Sequence, residues 1–201
     1  MQAAATKDRG PWMHTSMCRR FYPGDPRPED ISISDIANGL ALTSRYAGQG
    51  EVYRYYSVAE HSVLMTEYAA TRGWPTKALL CVLLHDAAEA YLGDLTSPVK
   101  QVIGAGYKLV EERVQNAILD KYGLRLTEEV YRAHIKGLDI GIVPVERLYL
   151  MRYWQPWPNE IQPLDGVSIR GWSPVQAKIK FLNIWHILSK NAGIPQEEYE
   201  I

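Results

Sequence analysis

The 201-residue chain predicts a single all-α domain, a helical bundle, on three observations. Ser57-x-x-Glu60 and Ser173-x-x-Gln176 have the spacing of helix capping boxes. The apolar run through Leu79–Leu92 stops at Gly93 and is hydrophobic nearly all round, as a central buried helix is. Residues 107–122 and 177–188 repeat apolar side chains at helical spacing. Residues 1–30 read as an irregular N-terminal arm, 31–191 as the domain and 192–201 as a C-terminal tail.

Taken in order, the arm is Pro/Gly-rich ("FYPGDPRPED"), with a short strand at Arg20–Tyr22. Ser34 is placed to cap a helix over Asp35–Leu42. "TSRYAGQGEVYRYYS" reads as a loop with two extended, aromatic-rich pieces forming a small hairpin. Ser57 then opens a helix to about Thr71, and Pro75, at a first helical position, opens the next, through Leu92. A helix over 107–122, with Leu109, Val110, Arg113, Val114, Ala117 and Ile118 at amphipathic spacing, ends at Gly123. Thr127 starts another to about Ile140, and Pro144 begins a continuation through Tyr153. A proline-rich loop follows. Ser173, with Pro174 in the first turn, opens a last helix to about Asn191 with Ala177, Phe181, Leu182, Trp185 and Leu188 as its core stripe.

Composition narrows function. Lys+Arg 22 against Asp+Glu 23 gives a net charge of -1, so no global basic field points to nucleic acid, and none is expected as a partner. Hydrophobic residues at 46% and charged residues at 22% are ordinary for a soluble protein. The first residues lack the apolar core of a signal peptide, and no run approaches the ~18 apolar residues of a membrane span. Cys18 and Cys81 are far apart in the chain, and Cys81 falls in the apolar helix as a buried free thiol. A cytoplasmic protein, away from membranes, is the expectation.

Chemistry concentrates in "LLHDAAEAYLGDLTSPVK". A histidine and two carboxylates inside a buried helix require partners. On a helix, His85 and Asp86 project about 100° apart and lean toward one point. His61, in the first turns of the preceding helix, adds a second imidazole. Asp139, an acidic interruption of the apolar "HIKGLDIG", is the best fourth ligand. Two imidazoles with carboxylates suit a divalent ion such as Zn, Mn, Co or Fe. Glu89 lies on the same face one turn on, near an ion without ligating it, and Asp94 reaches the pocket from the loop. Either can orient a water or protonate a leaving group. The plainer readings are a helix salt bridge for Glu89 and a turn cap for Asp94. His14, His134 and His186 read as structural, and Tyr53, Tyr55 and Tyr56 as packing.

"AEHS" followed by "HDAAEAYLGDLTSPVK" resembles the HD-domain metal-dependent phosphohydrolases. Within them it is similar to the HD-x-x-E-x-x-x-G-D-x-x-x-P-V-K signature of bacterial 5′-deoxynucleotidases and phage dATP triphosphohydrolases. A bare HD pair is a weak signal; the whole signature is specific. The resemblance, which covers about residues 17–190, implies His61, His85, Asp86 and Asp139 as ligands of a divalent ion (Co, Mn, Zn, Fe or Mg). It implies that Glu89 and Asp94 serve the attacking water and the leaving group, and that Arg45, Lys100 and Lys136 face phosphate. It further implies a small-molecule 2′-deoxynucleotide substrate, homo-oligomeric assembly, and a bacterial or phage-infected host cytoplasm. Two features depart from the family pattern. Tyr46 stands where the deoxynucleotidases carry a tryptophan that packs against the sugar, and Gly137, Gly141 and Pro144 interrupt a usually unbroken helix. A non-catalytic HD-fold module that binds nucleotide or acts as a scaffold, and a phosphodiesterase, are the alternatives.

Overall fold

A computed structural model of the chain describes residues 9–153, 155 and 161–197. Expectations for residues 1–8, for 154 and 156–160 of the proline-rich loop, and for 198–201 of the tail lie outside the described residues. The protein is all-α, as predicted. Its helices are α1 Ile33–Leu42, α2 Val58–Thr71, α3 Thr76–Leu83, α4 Glu89–Leu92, α5 Ser97–Ile103, α6 Ala105–Lys121, α7 Arg125–Leu150 and α8 Pro174–Asn191. A two-residue hairpin, β1 Met13–His14 with β2 Arg20–Phe21, lies in the arm. Among the described residues, no helix is long and apolar enough to cross a membrane.

The core forms where α8 packs on α1, α2 and α3. Trp185 is fully buried there, edge-on to Tyr122 with ring centroids 4.5 Å apart. Every residue of α3 from Ala78 to Leu83 is buried, which fits the central place its apolar surface predicts. The arm is tied to this core by Phe21, stacked on Tyr91 at 4.0 Å.

Local signals set most helix starts. Ser173 and Gln176 form both halves of a capping box on α8. At α2 only half forms: Ser57 Oγ accepts the Glu60 N–H, while the Glu60 carboxylate turns away. It accepts the N–H groups of Arg170, Gly171 and Trp172 at 2.7, 3.0 and 2.8 Å, fastening the chain ahead of α8 to α2. A buried carboxylate satisfied by three amides is worth more to the fold than one reciprocal cap.

Several expectations are corrected. α1 begins after Ser32, not Ser34, and the Ile33 N–H is satisfied by the distant Glu197 carboxylate at 3.2 Å. Pro75 precedes α3 as its cap instead of sitting inside it. The hairpin expected over residues 43–57 is a single bridge, Ser44 to Ser57, with a 3₁₀ turn at Arg45–Gly48. Leu109 is half exposed, and Tyr53 faces solvent. α7 runs unbroken through Gly137, Gly141 and Pro144. A proline there leaves only the Ile140 carbonyl without its helical donor, while the Leu164 N–H bonds Gly141 O at 3.0 Å. Gly141 also gives Leu164 room, since a Cβ at that position would sit 2.7 Å from its Cδ2.

Gly39 matters similarly. A Cβ there would lie 2.5 Å from the Ala90 carbonyl oxygen, so α1 and α4 meet backbone to backbone. Gly39→Ala is expected to destabilise the protein by about 1–3 kcal/mol, as overpacking of a tight contact does. Denaturant unfolding of the variant measures it; a change within experimental error would mean α4 shifts freely.

Candidate metal centre

The histidine–aspartate pair does not lie on a continuous helix. α3 ends at Leu83 and α4 starts at Glu89, and between them the backbone makes tight turns. The N–H groups of His85, Ala87 and Glu89 reach back three residues, to Val82, Leu84 and Asp86. No glycine or proline causes this break. Instead the Gln115 side chain, from α6, donates Nε2–H to Leu84 O at 2.8 Å and accepts the Ala88 N–H on Oε1 at 3.1 Å.

This turn delivers His85 and Asp86 to a point shared with two other helices. His61 comes from the first turn of α2, and Asp139 from the middle of α7. One donor atom from each of His61, His85, Asp86 and Asp139 lies within 4.8 Å of every other. His61 Nε2 is 3.2 Å from His85 Nε2, 3.6 Å from Asp86 Oδ2 and 3.5 Å from Asp139 Oδ1. His85 Nε2 and Asp86 Oδ2 are 3.2 Å apart. Ligand atoms about 2.1 Å from one ion stand roughly 3.0–3.4 Å from each other, so the spacing fits a divalent cation.

The far side of each imidazole is also fixed. His61 Nδ1 lies 2.7 Å from Glu146 Oε1, and His85 Nδ1 lies 2.8 Å from Val82 O. Both partners are acceptors, so both Nδ1 atoms carry protons, and in the neutral form of each ring it is the Nε2 lone pair that faces the centre. Two lone pairs and two carboxylates directed at one spot call for a cation.

Charge makes the same demand. The Arg45 guanidinium is enclosed by Asp86 at 3.5 Å, Asp94 at 3.7 Å, Asp139 at 3.9 Å and Glu146 at 3.4 Å. Lys136 Nζ holds the other oxygen of Asp139 at 2.6 Å. Carboxylates thus outnumber cations around the cluster, an excess of negative charge that a bound cation would offset. Without an ion, burial and Arg45 push the His61 pKa down, but Glu146 and Asp139 outweigh them and draw a proton onto it, at about 9. Burial also opposes ionisation of Asp86, yet His85 and His61 hold its pKa well below the usual carboxylate range. Asp139 is held low against its burial by the same two histidines and Lys136.

Glu89 and Asp94 line the cavity beside the cluster, and burial raises both pKa values, with Asp86 adding to each shift. Lys100, on α5, bridges Glu89 at 3.3 Å and Glu111 at 2.6 Å. Arg45, Lys100 and Lys136 line one cavity of about 640 Å³, together with Tyr46, Asp94 and apolar groups such as Ile140 and Val143. The expected ligands, acids and cations therefore lie in the cluster or along this cavity. The cations, however, are committed to carboxylates instead of projecting freely.

Glu146 was not among the expected residues. Its side chain is fully buried, and beside His61 it accepts the Tyr46 hydroxyl at 3.1 Å and Arg45 Nη2–H at 3.4 Å. Burial would raise its pKa, but Arg45 and His61 lower it to about 2, so it is ionised at neutral pH. Tyr46 and the following Ala47 are left-handed, with φ of 56° and 50°, a strained conformation for side chains of this kind. The bond to Glu146 holds that turn in place. Glu146 had a readable signal, since it lies seven residues beyond Asp139, two helical turns along the same face. Gln115 had none; in sequence it is an ordinary polar position on an amphipathic helix.

Fold and site together define an all-α protein with a His/His/Asp/Asp cluster able to hold a metal ion. No family model matches the chain. It is 35% identical over 190 residues to the uncharacterized protein RCAP_rcc00048 of Rhodobacter capsulatus, spanning 90% of this chain and 96% of that protein. It is 34% identical over 129 residues to the uncharacterized protein YfdR of Escherichia coli K12, spanning 64% of this chain and 66% of that protein. The chain belongs to the family of the Rhodobacter capsulatus protein.

Proposed function

We propose that the chain is an HD-domain phosphohydrolase, dependent on a divalent metal, acting on 2′-deoxynucleotides. The activity is that of a dNTP triphosphohydrolase, such as a dATPase, or of a 5′-deoxynucleotidase. The observation that carries this reading is the pair of Nε2 atoms 3.2 Å apart, flanked by Asp86 and Asp139, which themselves line a cavity with three cations. The resemblance of His85–Lys100 to the family signature supports it. The same resemblance extends the reading to a cytoplasmic homo-oligomer.

When bound by His61, His85, Asp86 and Asp139, a Zn, Mn, Co, Fe or Mg ion supplies Lewis acidity to a phosphoryl oxygen and acidifies water. The chain's own groups do the rest. Arg45 and Lys136 supply positive charge where phosphate oxygens enter the cavity, offsetting charge that builds at phosphorus. Burial favours the protonated form of Glu89 and of Asp94, so that one of the pair gives its proton to the leaving oxygen while the other, ionised, takes one from the water. Lys100, anchored by Glu111, fixes the direction of the Glu89 carboxylate. Tyr46 lines the cavity, with its hydroxyl turned inward to Glu146. Water attack on a monophosphate releases nucleoside and phosphate; attack on the α-phosphate of a triphosphate releases nucleoside and triphosphate.

A panel of dNMPs and dNTPs, assayed with Mn, Co, Zn, Fe or Mg and with product identification, tests this. Release of phosphate or triphosphate is expected with at least one ion and lost with a chelator. Metal binding without release from any member would leave a binding module in place of an enzyme. Cleavage confined to diesters would make the protein a phosphodiesterase.

A further inference from the structure

We propose that Gln115 is the positioning residue that gives the His85–Asp86 turn its metal-binding shape. In a continuous α-helix the Ala88 N–H would bond the Leu84 carbonyl directly. Here the Gln115 amide is inserted between those two groups, donating to Leu84 O at 2.8 Å and accepting from Ala88 N–H at 3.1 Å. Only one orientation of the amide satisfies both contacts, because the reverse would set NH₂ against N–H and oxygen against oxygen.

The insertion has a geometric consequence. Held apart at one rung, the intervening residues bond three back, and at three residues per turn successive side chains differ by about 120° instead of about 100°. His85 and Asp86 occupy that stretch, and so the direction of two of the four donor atoms depends on a side chain from α6. The local sequence has nothing else to break the helix: Leu83, Leu84, Ala87 and Ala88 all favour its continuation. Gln115 hydrogen-bonds to backbone groups of Leu84 and Ala88, on either side of His85 and Asp86. It acts on them through the backbone at either end of the turn.

This inference rests on the cluster holding a divalent ion. It predicts that a side chain of similar length without hydrogen-bonding groups lets the rung close. Gln115→Met is then expected to refold with Leu84 O bonded to Ala88 N–H, and to bind metal more weakly by about 10–100-fold, as loss of groups that orient ligands does. The experiment titrates Co(II) into the metal-free full-length protein, wild type, Gln115→Met and Gln115→Ala, following visible absorption for affinity and coordination geometry. Thermal unfolding of the same metal-free samples gives the control. Weakened binding with an altered Co(II) spectrum, in whichever of the two variants folds, supports the assignment. A Kd within threefold of wild type, with or without a fall in Tm, overturns it and leaves Gln115 a packing residue. If wild-type protein takes up no Co(II), the metal reading itself falls, and this assignment with it. Wild-type binding alongside unchanged variants removes only the assignment.

Discussion

Asp86→Ala is expected to lose bound metal and turnover together, whereas Glu89→Ala keeps the metal and loses turnover by about 10²–10⁴-fold, the usual worth of a proton-transferring group. The two carboxylates are three residues apart, Asp86 half-buried and Glu89 buried, yet the structure separates them. Asp86 Oδ2 faces both imidazole Nε2 atoms, at 3.2 and 3.6 Å. Removing it takes away a donor and one of the negative charges that hold the cation. Glu89 faces Lys100 instead, with its second oxygen buried and, among the described residues, without a hydrogen-bond partner. Its loss leaves Lys100 held by Glu111 at 2.6 Å and leaves the four donors untouched. Metal content after dialysis, measured beside kcat on the best substrate of the nucleotide panel, checks both expectations. Equal loss of metal in the two variants would sink the division of roles.

What the sequence made legible and what it hid follow a physical pattern. Helices whose starts are local chemistry were readable: Ser57 and Ser173 accept N–H groups three residues ahead, and both lie where the spacing puts them. The same holds for the four donor residues and for Glu89 and Asp94, because polar groups in apolar surroundings stand out by composition alone. Features set by distant residues were hidden. The start of α1 is satisfied by Glu197, the Glu60 carboxylate is claimed by residues 170–172, and the helix break at His85 is held by Gln115. None of these has a trace in neighbouring sequence. Pro144 misled in the other direction, since a helix braced from outside by Leu164 tolerates a proline that would end an isolated one. Glu146 lies between the two cases. Its seven-residue step from Asp139 was in plain view, but it carries meaning only once α7 is known to be unbroken.

Glu146→Gln is expected to weaken metal binding by about 10–100-fold while preserving side-chain size. The carboxylate accepts from three donors at once: His61 Nδ1–H, the Tyr46 hydroxyl and Arg45. A glutamine offers one acceptor oxygen and one NH₂, so at least one of those donors meets another donor. If His61 loses its partner, its ring is no longer held in the tautomer that directs Nε2 to the centre. If Tyr46 loses it, the left-handed turn at Tyr46–Ala47 gives up the contact that offsets its strain. In both cases Arg45 keeps its charge with one fewer buried carboxylate to balance it, and breaking a buried pair typically costs about 3–5 kcal/mol. The variant should therefore be less stable as well as weaker in metal binding. Isothermal titration with Mn(II) and denaturant unfolding read the two effects separately. Stability lost with metal affinity intact would mean that Glu146 serves Arg45 and the Tyr46 turn alone. Affinity lost with stability intact would make it a partner of His61 only. Loss of both is expected, because the three donors converge on one carboxylate.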